Sequence, residues 1–321
     1  MLGESALIAL LSQHNIPQRQ DVSLGIGDDC ALLTVPPGKH LAVTMDSFIA
    51  GTHFPEQTSA FDIGYKAMAV NLSDLAAMGA EPTWVTISLS APHLEKKWVE
   101  DFVAGLTTLT KKYNVALVGG DTCRGPLMIT VQAHGFVDDK KALCRHQAQA
   151  GDTIYVTGTL GDAAVGLAAI QGKFPHALDA EDLTFCQQRL NQPTPRVELG
   201  QALVGVANSM IDLSDGLYKD LGHIAQRSGL GAEIDTTTLP LSPALRTLPS
   251  DQAWPFALRG GDDYELCFTA SASHASIISE LAVDHGVAIT AVGHMTAEHK
   301  ELKIKGKQGG AIKLAKGFEH F

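Results

Sequence analysis

Apolar runs of strand length that meet aspartate recur along the whole sequence: LAVTMD (41–46), ALVGGD (116–121), SMIDLSD (209–215) and GGDDYELCFT (260–269). Each reads as a strand beside a turn rich in Asp and Gly. Between them the apolar period lengthens. In 60–79, Phe61, Tyr65, Met68, Leu72, Leu75 and Met78 fall at helical spacing, so one face of a helix is expected to pack inward, with Asn71 and Asp74 three apart on another. Segments 95–113 and 273–286 also read as helices, and 127–137 as a strand. The mixture predicts an α/β (α+β) fold.

A chain of 321 residues is long for one core, so two domains are expected. The break falls in the polar stretch DDKKALCRHQAQAGD (138–152), ahead of the strand TIYVTG, which gives domains of 1–140 and 141–321. The first residues, MLGESALIALLSQH, lack a basic leader and a small-residue cleavage site and read as a short amphipathic helix. No apolar run reaches the roughly 18 residues that span a bilayer, so a cytoplasmic protein without a membrane partner is expected. Cys30, Cys123, Cys144, Cys186 and Cys267 are odd in number and never paired as CxxC, which argues for buried free thiols over a disulfide framework or a zinc site.

The net charge is -11, and no basic stripe offers a nucleic acid a surface. The acids themselves are the signal. Gly-Asp pairs at 27–28, 120–121, 151–152, 161–162 and 261–262 are irregularly spaced, which excludes a solenoid, and each alone is explained as a turn. As a set, Asp28 and Asp29 in GIGDDC, Asp46 and Asp121 at the ends of apolar strands, Asp74 in NLSDLAAMG, and Asp212 and Asp215 in IDLSDG are harder to dismiss, because strand ends converge on one edge where ligands commonly bind. Two carboxylates about 4 Å apart repel by about 4 kcal/mol at an effective dielectric of 20. A hard divalent cation relieves that repulsion, and Mg²⁺ commonly joins carboxylates to substrate phosphates. The expected ligand is a magnesium-bound polyphosphate.

No GxxxxGK[ST] is present, nor a protein-kinase motif set, and GIGDDC lacks the last glycine of a dinucleotide fingerprint. No GxSxG elbow or Ser-His-Asp set stands out. Phosphoryl transfer fits such a chain, because positioning and metal electrostatics do most of that catalysis.

GIGDDCALL (25–33), GTHF (51–54), KAMAVNLSDLAAMGAEP (66–82), VGGDTCRGP (118–126), IDLSDGL (211–217), GGDDYELCF (260–268) and KGFEHF (316–321) together resemble the thiamine-monophosphate kinase family, in the family's order. The resemblance implies a fold like aminoimidazole ribonucleotide synthetase, with an N-terminal domain that pairs across a homodimer. It implies ATP-dependent phosphorylation of thiamine monophosphate to thiamine diphosphate with several Mg²⁺ ions. By motif, Asp29, Asp46, Asp74, Asp121 and Asp212 match Mg²⁺ ligands, with Thr44 and Asp215 as further ones. Gly120, Asp121, Arg145 and Ser214 match nucleotide contacts, and His53, Asp262 and Phe318 match contacts to the thiamine phosphate.

Four positions depart from the family pattern. Met45 stands where Thr is frequent, removing a hydroxyl; Asp262 replaces Glu; Phe318 replaces Trp or Tyr; Cys123 replaces Thr. Aminoimidazole ribonucleotide synthetase, selenophosphate synthetase and a carbamoyl-dehydrating hydrogenase maturation protein share the implied fold. A non-catalytic nucleotide sensor is the alternative from another class.

Overall fold

The alternation of Leu41, Val43 and Met45 with Ala42, Thr44 and Asp46 makes residues 39–49 a strand with two unlike faces. The computed structural model describes residues 17–298 and 301–306. The helix expected at 1–14 and the tail that carries Phe318 lie outside the described residues. The chain divides into two units. The first comprises the described residues through Leu75 together with Ala80–Lys140, and the second comprises Ala76–Gly79 and the described residues from Lys141 onward.

In the first unit, β1 (Val22–Leu24) and β2 (Leu32–Leu33) form a short antiparallel pair. A four-stranded sheet follows, built from β3 (Lys39–Ile49), β4 (Glu81–Ala91), β5 (Ala116–Arg124) and β6 (Met128–Asp138) in the order β3-β6-β4-β5. Only β4 and β5 run parallel, and the helix α2 (Lys96–Lys112) supplies the crossover that such a pair needs. Ile129, Val131, Val85, Ile87 and Leu89 are buried on the sheet. On the opposite face, β1 and β2 bring Val22 and Leu33 against Trp84, Ala116, Val118 and Phe136.

Helix α1 (Ala60–Ala77) departs from the single inward face read from its sequence. Met68, Leu72 and Leu75 are buried as expected, but so are Ala67, Ala69, Val70, Asn71, Ser73 and Ala76. A helix apolar nearly all round belongs inside a protein, and the alanines that carry this second face disturb no helical spacing. At Gly64 an added Cβ would overlap the carbonyl oxygen of Phe102, and at Gly105 that of Phe61. The two helices therefore touch backbone to backbone, closer than side chains allow.

The second unit holds a six-stranded sheet of β7 (Thr153–Thr157), β8 (Ser209–Asp212), β9 (Gly231–Asp235), β10 (Leu266–Ala270), β11 (Ile289–Thr296) and β12 (Leu302–Lys305), in the order β12-β9-β11-β7-β10-β8. All its pairs are antiparallel except β12 with β9. Ile154, Val156, Ile211, Cys267, Val292 and Ile304 pack with Leu221 and Ile224 of helix α3 (Leu217–Ser228) and with Leu258. The cysteines need a correction: Cys186 and Cys267 are buried, but Cys30 and Cys123 are exposed and Cys144 is half-buried; all five are free. The two exposed thiols follow the Asp28-Asp29 turn and Asp121, where the chain leaves its core.

Candidate active site

Alternation along β3 turns Thr44 and Asp46 to the face on which Phe48 is buried, and the partly buried Asp74 of α1 meets them there. Thr44 Oγ1 donates a 2.5 Å hydrogen bond to Asp74 Oδ2. Burial, with the negative charge of Asp74 behind it, pushes the Asp46 carboxyl up to about 6. Thr44, Asp46 and Asp74 thus form a cluster of two carboxylates and one hydroxyl. Met45 points away from it and is 60% exposed, so a side chain at 45 belongs to the other face whether or not it carries a hydroxyl. The hydroxyl beside the acids is that of Thr44.

Just past β3, the turn through Gly51, at φ 79°, brings His53 back onto the strand. The Ile49 N–H donates to His53 Nδ1 at 3.1 Å, so the neutral ring carries its proton on Nε2. The ring tilts against Phe48 at 5.8 Å.

Asp29 is exposed in the turn after β1, where its N–H is bonded by Asp28 Oδ1 at 2.8 Å. Asp121 is also exposed, and the pairing puts it in a different row from Asp46. Asp46 lies opposite Val131, Val131 opposite Ile87, and Ile87 opposite Gly120; Asp121 falls in the adjacent row with Ser88, Thr130 and Ser47. By strand alternation that row belongs to the opposite face. The packing of α1 on β3 therefore unites Asp46 with Asp74 in this unit and leaves Asp29 and Asp121 at separate exposed positions. Among the described residues, no three His, Cys, Asp or Glu side chains are grouped closely enough to hold a metal ion.

In the second unit, Asp212 closes β8 and is buried opposite Leu266 of β10. Two motifs read separately in sequence are joined here. Asp262 N–H donates to Ser214 O at 3.0 Å, Tyr264 N–H to Leu213 O at 2.9 Å, and Leu213 N–H to Glu265 O at 2.8 Å. Asp215 is half in solvent and pairs with Lys219 at 2.8 Å. Arg145 lies near enough for its charge to favour the Asp220 carboxylate and to oppose protonation of His223.

Asp220 was invisible to motif reading. It is buried, and its Oδ2 accepts the N–H groups of Asp215 and Gly216, each at 3.0 Å, so it fixes the DLSDG turn from inside α3. Burial pushes its carboxyl up to about 7. The only local signal was an acid in the first turn after a glycine, a variant of helix capping. By contrast, Asp152 and Asp162 of the Gly-Asp series are structural. Asp152 accepts from Gln149 N–H and Asn208 Nδ2, and Asp162 is buried in the first turn of its helix.

Residues 27–137 match the AIR synthase related protein N-terminal domain, and residues 149–305 match the corresponding C-terminal domain. The thiamine-monophosphate kinase of Escherichia coli strain K12 is 48% identical over 322 residues, covering 99% of this chain and 98% of that protein. The chain belongs to the thiamine-monophosphate kinase family. The family's crystal structure from Stenotrophomonas maltophilia K279a is 45% identical with a TM-score of 0.85, covering 95% of each chain. AaThiL complexed with AMPPCP and TMP is 31% identical with a TM-score of 0.77, covering 100% of this chain and 97% of that one. The implied two-part fold is therefore shown. No helix among the described residues is long and apolar enough to cross a membrane.

Proposed function

We propose that this chain transfers the γ-phosphoryl group of ATP directly onto the phosphate of thiamine monophosphate, giving thiamine diphosphate and ADP. One observation carries the reading: the Thr44–Asp46–Asp74 cluster, in a sequence 48% identical over nearly its whole length to a thiamine-monophosphate kinase. AMPPCP is an ATP analogue, so AaThiL is complexed with counterparts of both substrates of this reaction. The acceptor phosphate oxygen attacks the γ-phosphorus, and the bond from that phosphorus to the bridging oxygen of ADP breaks. The acceptor brings its own nucleophile, so the protein's part is to position and neutralise.

The cluster suits Mg²⁺. Its donors are all oxygen, and a divalent cation would offset both the burial and the repulsion from Asp74 that raise the Asp46 carboxyl. Bound Mg²⁺ would screen the charges of two phosphate esters that otherwise repel. We assign Thr44, Asp46 and Asp74 to it; Asp29 and Asp121 elsewhere in the first unit, and Asp212 and Asp215 in the second, are proposed as metal ligands on their motifs alone. Gly120, Asp121, Arg145 and Ser214 are assigned to the nucleotide; a guanidinium beside the DLSDG turn suits phosphate oxygens. His53 offers an Nε2–H donor to the acceptor phosphate, Asp262 a carboxylate to the cationic thiazolium, and Phe318 an aromatic face.

A homodimer is supported by β3. It is an edge strand, and Leu41, Val43, Met45 and Ile49 expose 39–60% of their surface on one face. Such an apolar edge invites a second copy. Dependence on ATP favours the cytoplasm.

The test is direct. Purified protein with ATP, Mg²⁺ and thiamine monophosphate is expected to yield thiamine diphosphate and ADP in equal amounts. Folded, ATP-binding protein that forms no product would refute the assignment and favour a nucleotide sensor.

A further inference from the structure

Asp262 and Tyr264 adopt φ of 69° and 49°, in the left-handed region that residues with a side chain seldom occupy. Two such residues with one between them persist only where surrounding groups over-determine the backbone. On one side the DLSDG turn takes their N–H groups, and Tyr264 Oη donates to Asp262 Oδ1 at 3.1 Å.

On the inner side lies a buried ion cluster that no part of the proposed reaction uses. The Glu265 side chain is 1% exposed, and those of Arg189 and Arg196 are 11% and 17% exposed. Arg196 donates from Nε to Glu265 Oε2 at 2.7 Å and from Nη2 to Oε1 at 2.6 Å; Thr157 Oγ1 adds a bond to Oε2 at 2.6 Å. Arg189 Nη2 reaches both Glu265 Oε1 and the backbone carbonyl of Asp263, each at 2.9 Å. Asp263 is the residue between the two left-handed ones, and its carboxylate accepts the Gly161 N–H at 2.7 Å. The bond to that carbonyl ties the ion cluster to the backbone between Asp262 and Tyr264.

We infer that Arg189, backed by Arg196 and Glu265, is a positioning residue that clamps Asp263 from below and so holds Asp262 in its left-handed conformation toward the thiamine phosphate. The inference rests on the proposed role of Asp262. Asp220 gives the neighbouring turn a support of its own at the Asp215 and Gly216 N–H groups, so loss of the clamp is expected to act first on Asp262.

The test compares Arg189→Met, Arg189→Lys, Asp262→Ala and the double variant Arg189→Met with Asp262→Ala, by KM for each substrate and by thermal unfolding. Arg189→Met is expected to raise KM for thiamine monophosphate about tenfold while KM for ATP moves less than about twofold, with Arg189→Lys recovering most of the loss. In the double variant that KM should stay within about twofold of Asp262→Ala alone, because Arg189 acts through Asp262. Should Arg189→Met fail to fold, Arg189→Lys carries the same comparison, expected to raise the acceptor KM a few-fold with KM for ATP unmoved. An unchanged acceptor KM in folded Arg189 variants, an equal rise in both KM values, or independent effects in the double variant would overturn the inference while leaving Asp262 its role. An acceptor KM unmoved by Asp262→Ala itself would sink the reading of Asp262, and the inference with it.

Discussion

Glu265→Gln preserves the shape of a buried side chain and removes its charge. The carboxylate accepts four bonds, two at each oxygen: Arg189 Nη2 and Arg196 Nη2 at Oε1, Arg196 Nε and Thr157 Oγ1 at Oε2. An amide NH2 at the Oε1 position leaves both guanidinium donors there without that acceptor; at the Oε2 position it leaves Arg196 Nε so, while the Thr157 hydroxyl can turn to accept from it. Removing one charge from a buried ion pair costs about 3–5 kcal/mol, a figure that already contains the donors left without an acceptor, so a loss of about that size is expected. Urea unfolding followed through Trp254 reports on the unit that holds the cluster. Burial alone would raise the Glu265 carboxyl, but the charges of Arg196 and Arg189 and the bond from Thr157 outweigh it and hold it below its ordinary value. The folded carboxyl is therefore the stronger acid. Its contribution is complete above the unfolded value near 4.5 and is lost as pH falls through the folded one. The gap in stability between wild type and variant should accordingly be full at neutral pH and close in acid. A loss under about 1 kcal/mol at neutral pH would refute the account of Glu265 as a compensated buried charge.

Asp74→Asn leaves the Thr44 bond an acceptor but halves the charge of the cluster. If Mg²⁺ there supplies several kcal/mol of transition-state stabilisation, turnover should fall by about a hundredfold or more with unfolding unchanged; near-normal turnover would remove Asp74 from the ligand set. Val43→Asp places a charge on the exposed face of the edge strand, and sedimentation is expected to show monomer where the parent chain is dimeric. Retention of the dimer would move the interface elsewhere.

Much of the frame was legible because it is written in local periods. The strands at 41–46, 116–121 and 127–137 and the helices at 60–79, 95–113 and 273–286 appear as β3, β5, β6, α1, α2 and the helix Ala275–Asp284. For the site, pairing of Asp46 with Asp74 followed from a strand and a helix being read correctly. The row of Asp121 was hidden: face depends on register, and register depends on partners 30 or more positions away. The Arg189, Arg196 and Glu265 cluster joins residues 69 and 76 apart, a separation that leaves no periodic trace.

The crossing at Gly64 and Gly105 acts as a fulcrum for the first unit. Ten residues separate Gly64 from Asp74, a helical rise of about 15 Å, so a tilt of about 10° at the crossing would swing the carboxylate by about 2–3 Å. Any side chain introduced at either glycine forces such a tilt, and its effect is delivered at the far end of the lever, beside Asp46.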